Sequence, residues 1–150
     1  MNKPTSSADH PDLLKLENQL CFPLYAVSRM FTKAYQPFLQ EMDLTYPQYL
    51  VLLLLWEHRE LTVKALGDKL LLDSGTLTPL LKRMEQKQWV SRRRDPRDER
   101  SVIISIQPAG EALQQQACRI PEHLIERLQL SVPEFEALRQ QLNTLLTRLT

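Results

Sequence analysis

The stretch Asp73-Ser74-Gly75-Thr76-Leu77-Thr78-Pro79-Leu80-Leu81-Lys82-Arg83-Met84, with Arg92-Arg93-Arg94-Asp95-Pro96-Arg97-Asp98-Glu99-Arg100 close behind it, decides the fold. Leu77, Leu80, Leu81 and Met84 recur at helical spacing behind an Asp73 or Ser74 N-cap, which predicts a helix over Asp73–Lys87. Thr76, Pro79, Lys82, Arg83 and Gln86 fall on its opposite side. From Trp89 the period changes to two: Val90 alternates with polar residues, Asp95–Arg100 reads as a charged turn, and Val102, Ile104 and Ile106 share one face of a returning strand. The expected element is a β-hairpin. Upstream, Leu61–Leu71 patterns as a helix, with Gly67 as a weak point. The few residues between this helix and the next match a helix-turn-helix, and the hairpin becomes its wing.

Working outward, Pro47–His58 is expected as a helix with Thr45 near its start and Leu50, Leu53 and Leu54 on the buried side. The recurrence Leu13, Leu16, Leu20, Leu24, Val27, Phe31, Ala34, Phe38 predicts one long first helix, interrupted at Pro23 and Pro37. Pro108 opens a fifth helix towards Leu128, and Ser131 caps a sixth carrying Phe135, Leu138, Leu142, Leu145, Leu146 and Leu149. The fold class is therefore mainly α with a small β-hairpin wing. Residues 1–10 form a polar tail and 11–150 one domain, with dimerisation helices at about 11–41 and 108–150 and a winged helix-turn-helix at about 46–107. The outer helices carry more apolar surface than a small wing domain can bury, so a homodimer is expected.

Composition excludes several classes. The 150 residues are 43% hydrophobic and 25% charged, an ordinary globular balance. The longest apolar run, Tyr49–Trp56, is far too short to cross a bilayer, and the opening residues carry no hydrophobic signal core, so no membrane partner and a cytoplasmic location are expected. Three dispersed histidines and two cysteines, Cys21 and Cys118, match no metal-ligand spacing, and neither GxGxxG nor GxxxxGK[ST] occurs, so neither metal nor cofactor is expected. Net charge is +1, but Lys82–Arg100 holds eight basic residues against four acidic.

A helix anchored on its inner face and polar outside can enter the major groove of B-DNA. Ser74, Thr76, Thr78 and Pro79 line that outer face, and Lys82 and Arg83 reach phosphates or bases from it. On the hairpin, Arg92, Arg94, Arg97 and Arg100 lie alongside, where a tip arginine can enter the minor groove. Asp95 and Asp98 are expected to hold neighbouring arginines through paired hydrogen bonds. Either feature alone is more often a solvated surface; both in this order point to double-stranded DNA.

On the residues from Leu72 to Glu85 and from Asp95 to Val102, the chain resembles the MarR family of winged helix-turn-helix repressors. The resemblance implies a dimer built by the first, fifth and sixth helices and a pseudo-palindromic operator. Cys21 by itself reads as a small buried residue or as a reactive thiol. Tyr25 lies one turn beyond it, and Tyr35 about 21 Å along a straight helix, out of reach within one chain. Asn18-Gln19-Leu20-Cys21-Phe22, Tyr25, Tyr35 and Leu44-Thr45-Tyr46-Pro47-Gln48-Tyr49-Leu50 are similar to the organic hydroperoxide-sensing OhrR branch. That similarity implies Cys21 as peroxide sensor, Tyr35 and Tyr46 reaching it across the dimer, and oxidation that disengages the operator. It also places Glu126 where two-cysteine members carry a resolving cysteine, leaving Cys118 or a small cellular thiol as the second sulfur. The alternatives are a repressor released by a phenolic ligand, a thiol peroxidase and a helical dimerisation module without DNA; no catalytic base accompanies Cys21, so enzymatic activity is not expected.

Overall fold

The computed structural model describes residues 11–150; the predicted polar tail lies outside them. They cluster into two compact units, one ending at Ala34 and the other running Tyr35–Thr150.

In the first unit, two short 3₁₀ turns, Pro11–Leu14 and Leu16–Asn18, precede helix α1 (Cys21–Glu41), which continues into the second unit. The apolar recurrence from Leu13 therefore does not mark helix throughout. Two local forces stop it. The ring of Pro23 clashes with the carbonyl four residues back, so no helix can hold Gln19 and Pro23 together unstrained. The Asn18 amide donates to the Asp12 carbonyl at 2.7 Å, and the Gln19 amide to the Leu13 carbonyl, giving the backbone alternatives to a helical ladder. Pro23 thus sits in the first turn, where the amide has no partner to lose. Pro37 is the proline that lies in the interior of α1, beyond its first turn. Leu14, Leu20, Phe22, Tyr25 and Met30 are exposed.

In the second unit, α2 (Tyr46–His58) begins where the Gln48 side chain accepts from the Thr45 amide at 2.9 Å. It buries Gln48, Tyr49, Val51, Leu52 and Leu55, while Leu53 is 41% exposed. The expected buried side was out of phase because α2 is apolar almost all round, so spacing alone cannot choose a face. A strand, β1 (Glu60–Thr62), precedes α3 (Val63–Leu70), where a longer helix from Leu61 was expected. Thr62 caps α3 by accepting from the Ala65 amide at 3.1 Å. Helix α4 (Ser74–Gln86) follows a turn in which Leu71 adopts a left-handed conformation, φ 54°. A Cβ on Gly67 would stand 2.7 Å from the Leu72 carbonyl oxygen, so the predicted weak point is what lets the turn close.

Strands β2 (Val90–Asp95) and β3 (Asp98–Ile106) form the hairpin. The antiparallel sheet has the order β1-β3-β2, with Glu60 opposite Ser105 and Arg92 opposite Ile104. Only Pro96 and Arg97 lie between the strands, a tighter turn than the expected Asp95–Arg100 loop. Leu52, Leu55, Leu66, Leu77, Leu81, Met84 and Ile104 are fully buried and form the core of this unit. Each contributes roughly 1.5–3 kcal/mol of transfer free energy. The expected fifth helix is two, α5 (Pro108–Ala117) and α6 (Ile120–Leu128), with Pro121 in the first turn of the second. Helix α7 (Val132–Leu149) corresponds to the expected sixth, with Ser131 and Glu134 forming a capping box.

Candidate nucleic-acid interface and thiol site

The outer face of α4 begins at its cap. Asp73 Oδ1 accepts from the Thr76 amide at 2.8 Å and Oδ2 from the Thr76 hydroxyl at 3.0 Å. The amide bond first, then the hydroxyl, holds the Asp73 carboxyl below its ordinary range. Thr76 therefore spends its hydroxyl on the cap. With Leu77, Leu80, Leu81 and Met84 buried, Ser74, Thr78, Pro79, Lys82 and Arg83 remain exposed along one face.

The wing presents its arginines differently from expectation. Asp95 is buried and accepts from the Arg97 amide at 2.9 Å, with the Arg97 Nε at the long distance of 3.5 Å. Asp98 accepts from the Arg100 amide at 3.1 Å. Both aspartates therefore fold the backbone, as Asx turns do, instead of clasping guanidinium groups in bidentate pairs. The Arg97 amide is the main cause of Asp95's lowered pKa. The Arg97 side chain is 89% exposed. Lys82, Arg83, Arg94 and Arg100 have no carboxylate partner among the described residues. An open groove of about 590 Å³ separates α3 and the start of α4 from the wing, lined by Lys64, Ser74, Thr78, Arg92, Asp98 and Arg100 among others.

Behind this face, ion pairs brace the frame. Arg93 meets Glu60 at 3.1 Å, and the Ser105 hydroxyl donates to the same carboxylate at 3.0 Å, joining all three strands. These bonds, Ser105's first, lower the Glu60 pKa. The Lys87 ammonium pairs with Asp43, donates to its carbonyl at 2.9 Å and lies 4.5 Å from the Trp89 ring centre. Trp56 Nε1 donates to the Gly110 carbonyl at 3.0 Å, fixing the start of α5.

Cys21 is the first residue of α1 and is exposed. One turn later, the Tyr25 hydroxyl accepts from Arg29 Nη1 at 3.3 Å, and the guanidinium carbon lies 5.3 Å from the ring centre. The second unit gathers the other three tyrosines: Tyr35 lies 5.0 Å from Tyr46 and 5.9 Å from Tyr49 between ring centres, and Tyr49 packs edge-on to Trp56. Burial, then the neighbouring phenols of Tyr46 and Tyr49, pushes Tyr35 up to about 12. Burial also raises Tyr46 and Tyr49. These phenols stay neutral hydrogen-bond donors at any ordinary pH. Tyr49 was not singled out as a site residue, although its three-residue spacing from Tyr46 puts both on one side of α2. Cys118 caps the C-terminus of α5 and is exposed, and Glu126 lies exposed on α6. Among the described residues no cluster of His, Cys, Asp and Glu could hold a metal, and no helix is long and apolar enough to cross a membrane.

A family model described as MarR family matches residues 44–102. The organic hydroperoxide resistance transcriptional regulator of Bacillus subtilis is 53% identical over 138 residues, covering 92% of this chain and 94% of its own length. Among solved structures, reduced AbfR bound to DNA is 38% identical, with a TM-score of 0.76 over 92% of this chain and 96% of that one. The disulfide form of AbfR, a Staphylococcus epidermidis protein, is 41% identical, with a TM-score of 0.61 over 90% and 95%.

Proposed function

The chain belongs to the MarR family of transcriptional regulators, and on that premise we propose that it is a dimeric operator-binding repressor released when an organic hydroperoxide oxidises Cys21. The 53% identity to the Bacillus subtilis hydroperoxide resistance regulator carries this reading. The exposed sulfur of Cys21 supports it.

In this reading α4 enters the major groove. Ser74, Thr78 and Pro79 meet the DNA at its start, and Lys82, Arg83, Arg94 and Arg100 supply the charge that displaces counterions from phosphates. Arg97 at the wing tip reaches the minor groove, while Asp73, Thr76, Asp95 and Asp98 hold the backbone that aims these groups. Among the described residues Lys82, Arg83, Arg94 and Arg100 have no carboxylate partner, so phosphate binding breaks no ion pair seen there.

At the input, peroxide oxygen transfers to the Cys21 thiolate: the sulfur becomes sulfenic acid as the O–O bond breaks, and the alkoxide leaves as the alcohol on taking a proton. Neutral Tyr35 and Tyr46 of the second copy donate hydrogen bonds to that sulfur, and Tyr25 flanks it on the same helix. A small thiol or Cys118 then condenses with the sulfenic acid to a disulfide, losing water, and the paired reading heads no longer match two half-sites.

A gel-shift titration on an inverted-repeat operator with wild type and Cys21→Ser, each with and without cumene hydroperoxide, tests the proposal. Release of the wild type alone supports it; equal release of both proteins refutes the sensor role.

A further inference from the structure

Three consecutive arginines, Arg92, Arg93 and Arg94, lie on β2, yet they are not electrostatically alike. Arg93 is tied to Glu60 of β1, and Arg94 has no acidic partner among the described residues. Arg92 is held by Glu85, in the last turn of α4, at two points: Glu85 Oε1 accepts from the Arg92 amide at 3.2 Å and Oε2 from its Nε at 2.7 Å. The two side chains are about one-third exposed, 32% and 36%.

The amide contact matters as much as the charge. Among the described residues strand β2 pairs only with β3, so it is an edge strand whose outward amides lack a strand partner there. Glu85 satisfies one of them and grips the same residue's guanidinium. One carboxylate therefore joins the recognition helix to the base of the wing, through a backbone atom that cannot swing away and a side chain that turns with it. No other ion pair among the described residues joins α4 to β2.

We propose that Glu85 and Arg92 are positioning residues that set the angle of the wing on the recognition helix, and that Arg92 is not a phosphate contact. The proposal rests on the DNA-binding reading above. A guanidinium already paired with a carboxylate brings no net charge to the DNA, so this pair should release no counterion when the complex forms. Were Arg92 to leave Glu85 for a phosphate, it would also strip the edge amide's partner of its counter-charge and leave that carboxylate facing a polyanion.

The test is operator affinity by fluorescence anisotropy across a range of potassium chloride concentrations, for wild type, Glu85→Gln, Arg92→Gln, Arg92→Lys and Arg100→Gln, with far-UV circular dichroism confirming the folded state. The positioning role predicts that Glu85→Gln and Arg92→Gln each weaken binding by about fivefold, and that the double variant is no worse than either. It also predicts an unchanged slope of log affinity against log salt for the double variant, which removes a neutral pair, whereas Arg100→Gln makes the slope shallower by about one. Arg92→Lys keeps the charge but loses the Nε donor, and is expected to fall with Arg92→Gln. Tighter binding by Glu85→Gln, as expected of a carboxylate that merely repels phosphate, would overturn the proposal. So would a slope shallower by about one for the double variant, or wild-type affinity for Arg92→Lys. A wild type without salt-dependent duplex binding would take down the DNA-binding reading itself, and is told apart by that protein alone.

Discussion

Helices α4 and α7 lie in the same compact unit and are both amphipathic, yet one has its apolar face covered and the other does not. On α4, Leu77 and Met84 are fully buried and Leu81 is 1% exposed. On α7 no residue is buried, and Leu142, Leu146 and Leu149 are 44%, 46% and 77% exposed. The difference separates two kinds of information. The face of α4 is complementary to its own chain, so its opposite, polar face is rigidly presented. The face of α7 is left uncovered by the described residues, and the proposed second copy would cover it.

Leucine substitutions at the two sites give the sharpest contrast. Leu81→Ala is expected to cost about 2–5 kcal/mol in urea unfolding, at any protein concentration, because it opens a cavity inside one chain. Leu146→Asp should leave the far-UV circular dichroism near native while sedimentation shows one chain in place of two, with operator affinity falling accordingly. A Leu146→Asp protein that stays a dimer would break the comparison.

Next in size is Gly67→Ala at the turn that sets α4 against α3. The added methyl meets the Leu72 carbonyl oxygen, and a loss of about 1–3 kcal/mol in stability is expected from the same unfolding measurement. A neutral result would mean the turn can relax, and that the presentation of α4 is less rigid than its burial implies.

The outer face of α4 and the wing are tested by charge. Arg100→Ala is expected to weaken operator binding by about tenfold and to make the salt slope shallower by about one, as anisotropy titrations would show. Unchanged affinity would remove the wing from the interface.

The smallest expected effect concerns the tyrosines. Tyr35 ionises less readily in the folded chain than at its ordinary value of 10, so its contribution to stability is complete below pH 10 and is lost as pH rises towards about 12. Phenolate absorbance followed through an alkaline titration should show a late component that Tyr35→Phe removes; its persistence in that variant would assign the late step elsewhere.

Much of the reading head was legible in the sequence because its signals are local. The Asp73 cap, the spacing of Leu77, Leu80, Leu81 and Met84, and the change of period at Val90 each follow from a few adjacent residues. What was not legible depended on distant partners or on competition between signals. Strand β1 is three residues long and exists because Glu60, Leu61 and Thr62 pair with β3. The late start of α1 follows from Pro23 acting on Gln19, which apolar spacing conceals. The division between α5 and α6 carried a readable mark in Pro121, which a run of helix-compatible residues masked. In the candidate site the exposed cations follow from local pattern, but the tie between Glu85 and Arg92 and the gathering of Tyr49 with Tyr35 and Tyr46 depend on contacts between separate elements.

The most direct measurement starts from the preformed operator complex. Cumene hydroperoxide is added while DNA release is followed by anisotropy, and sulfenic acid at Cys21 is trapped with dimedone and quantified by mass spectrometry in parallel samples. The account predicts that wild-type release follows Cys21 oxidation in time and extent, and that Cys21→Ser remains bound. Release from Cys21→Ser at the wild-type rate, or full oxidation of Cys21 with the DNA still held, would contradict it.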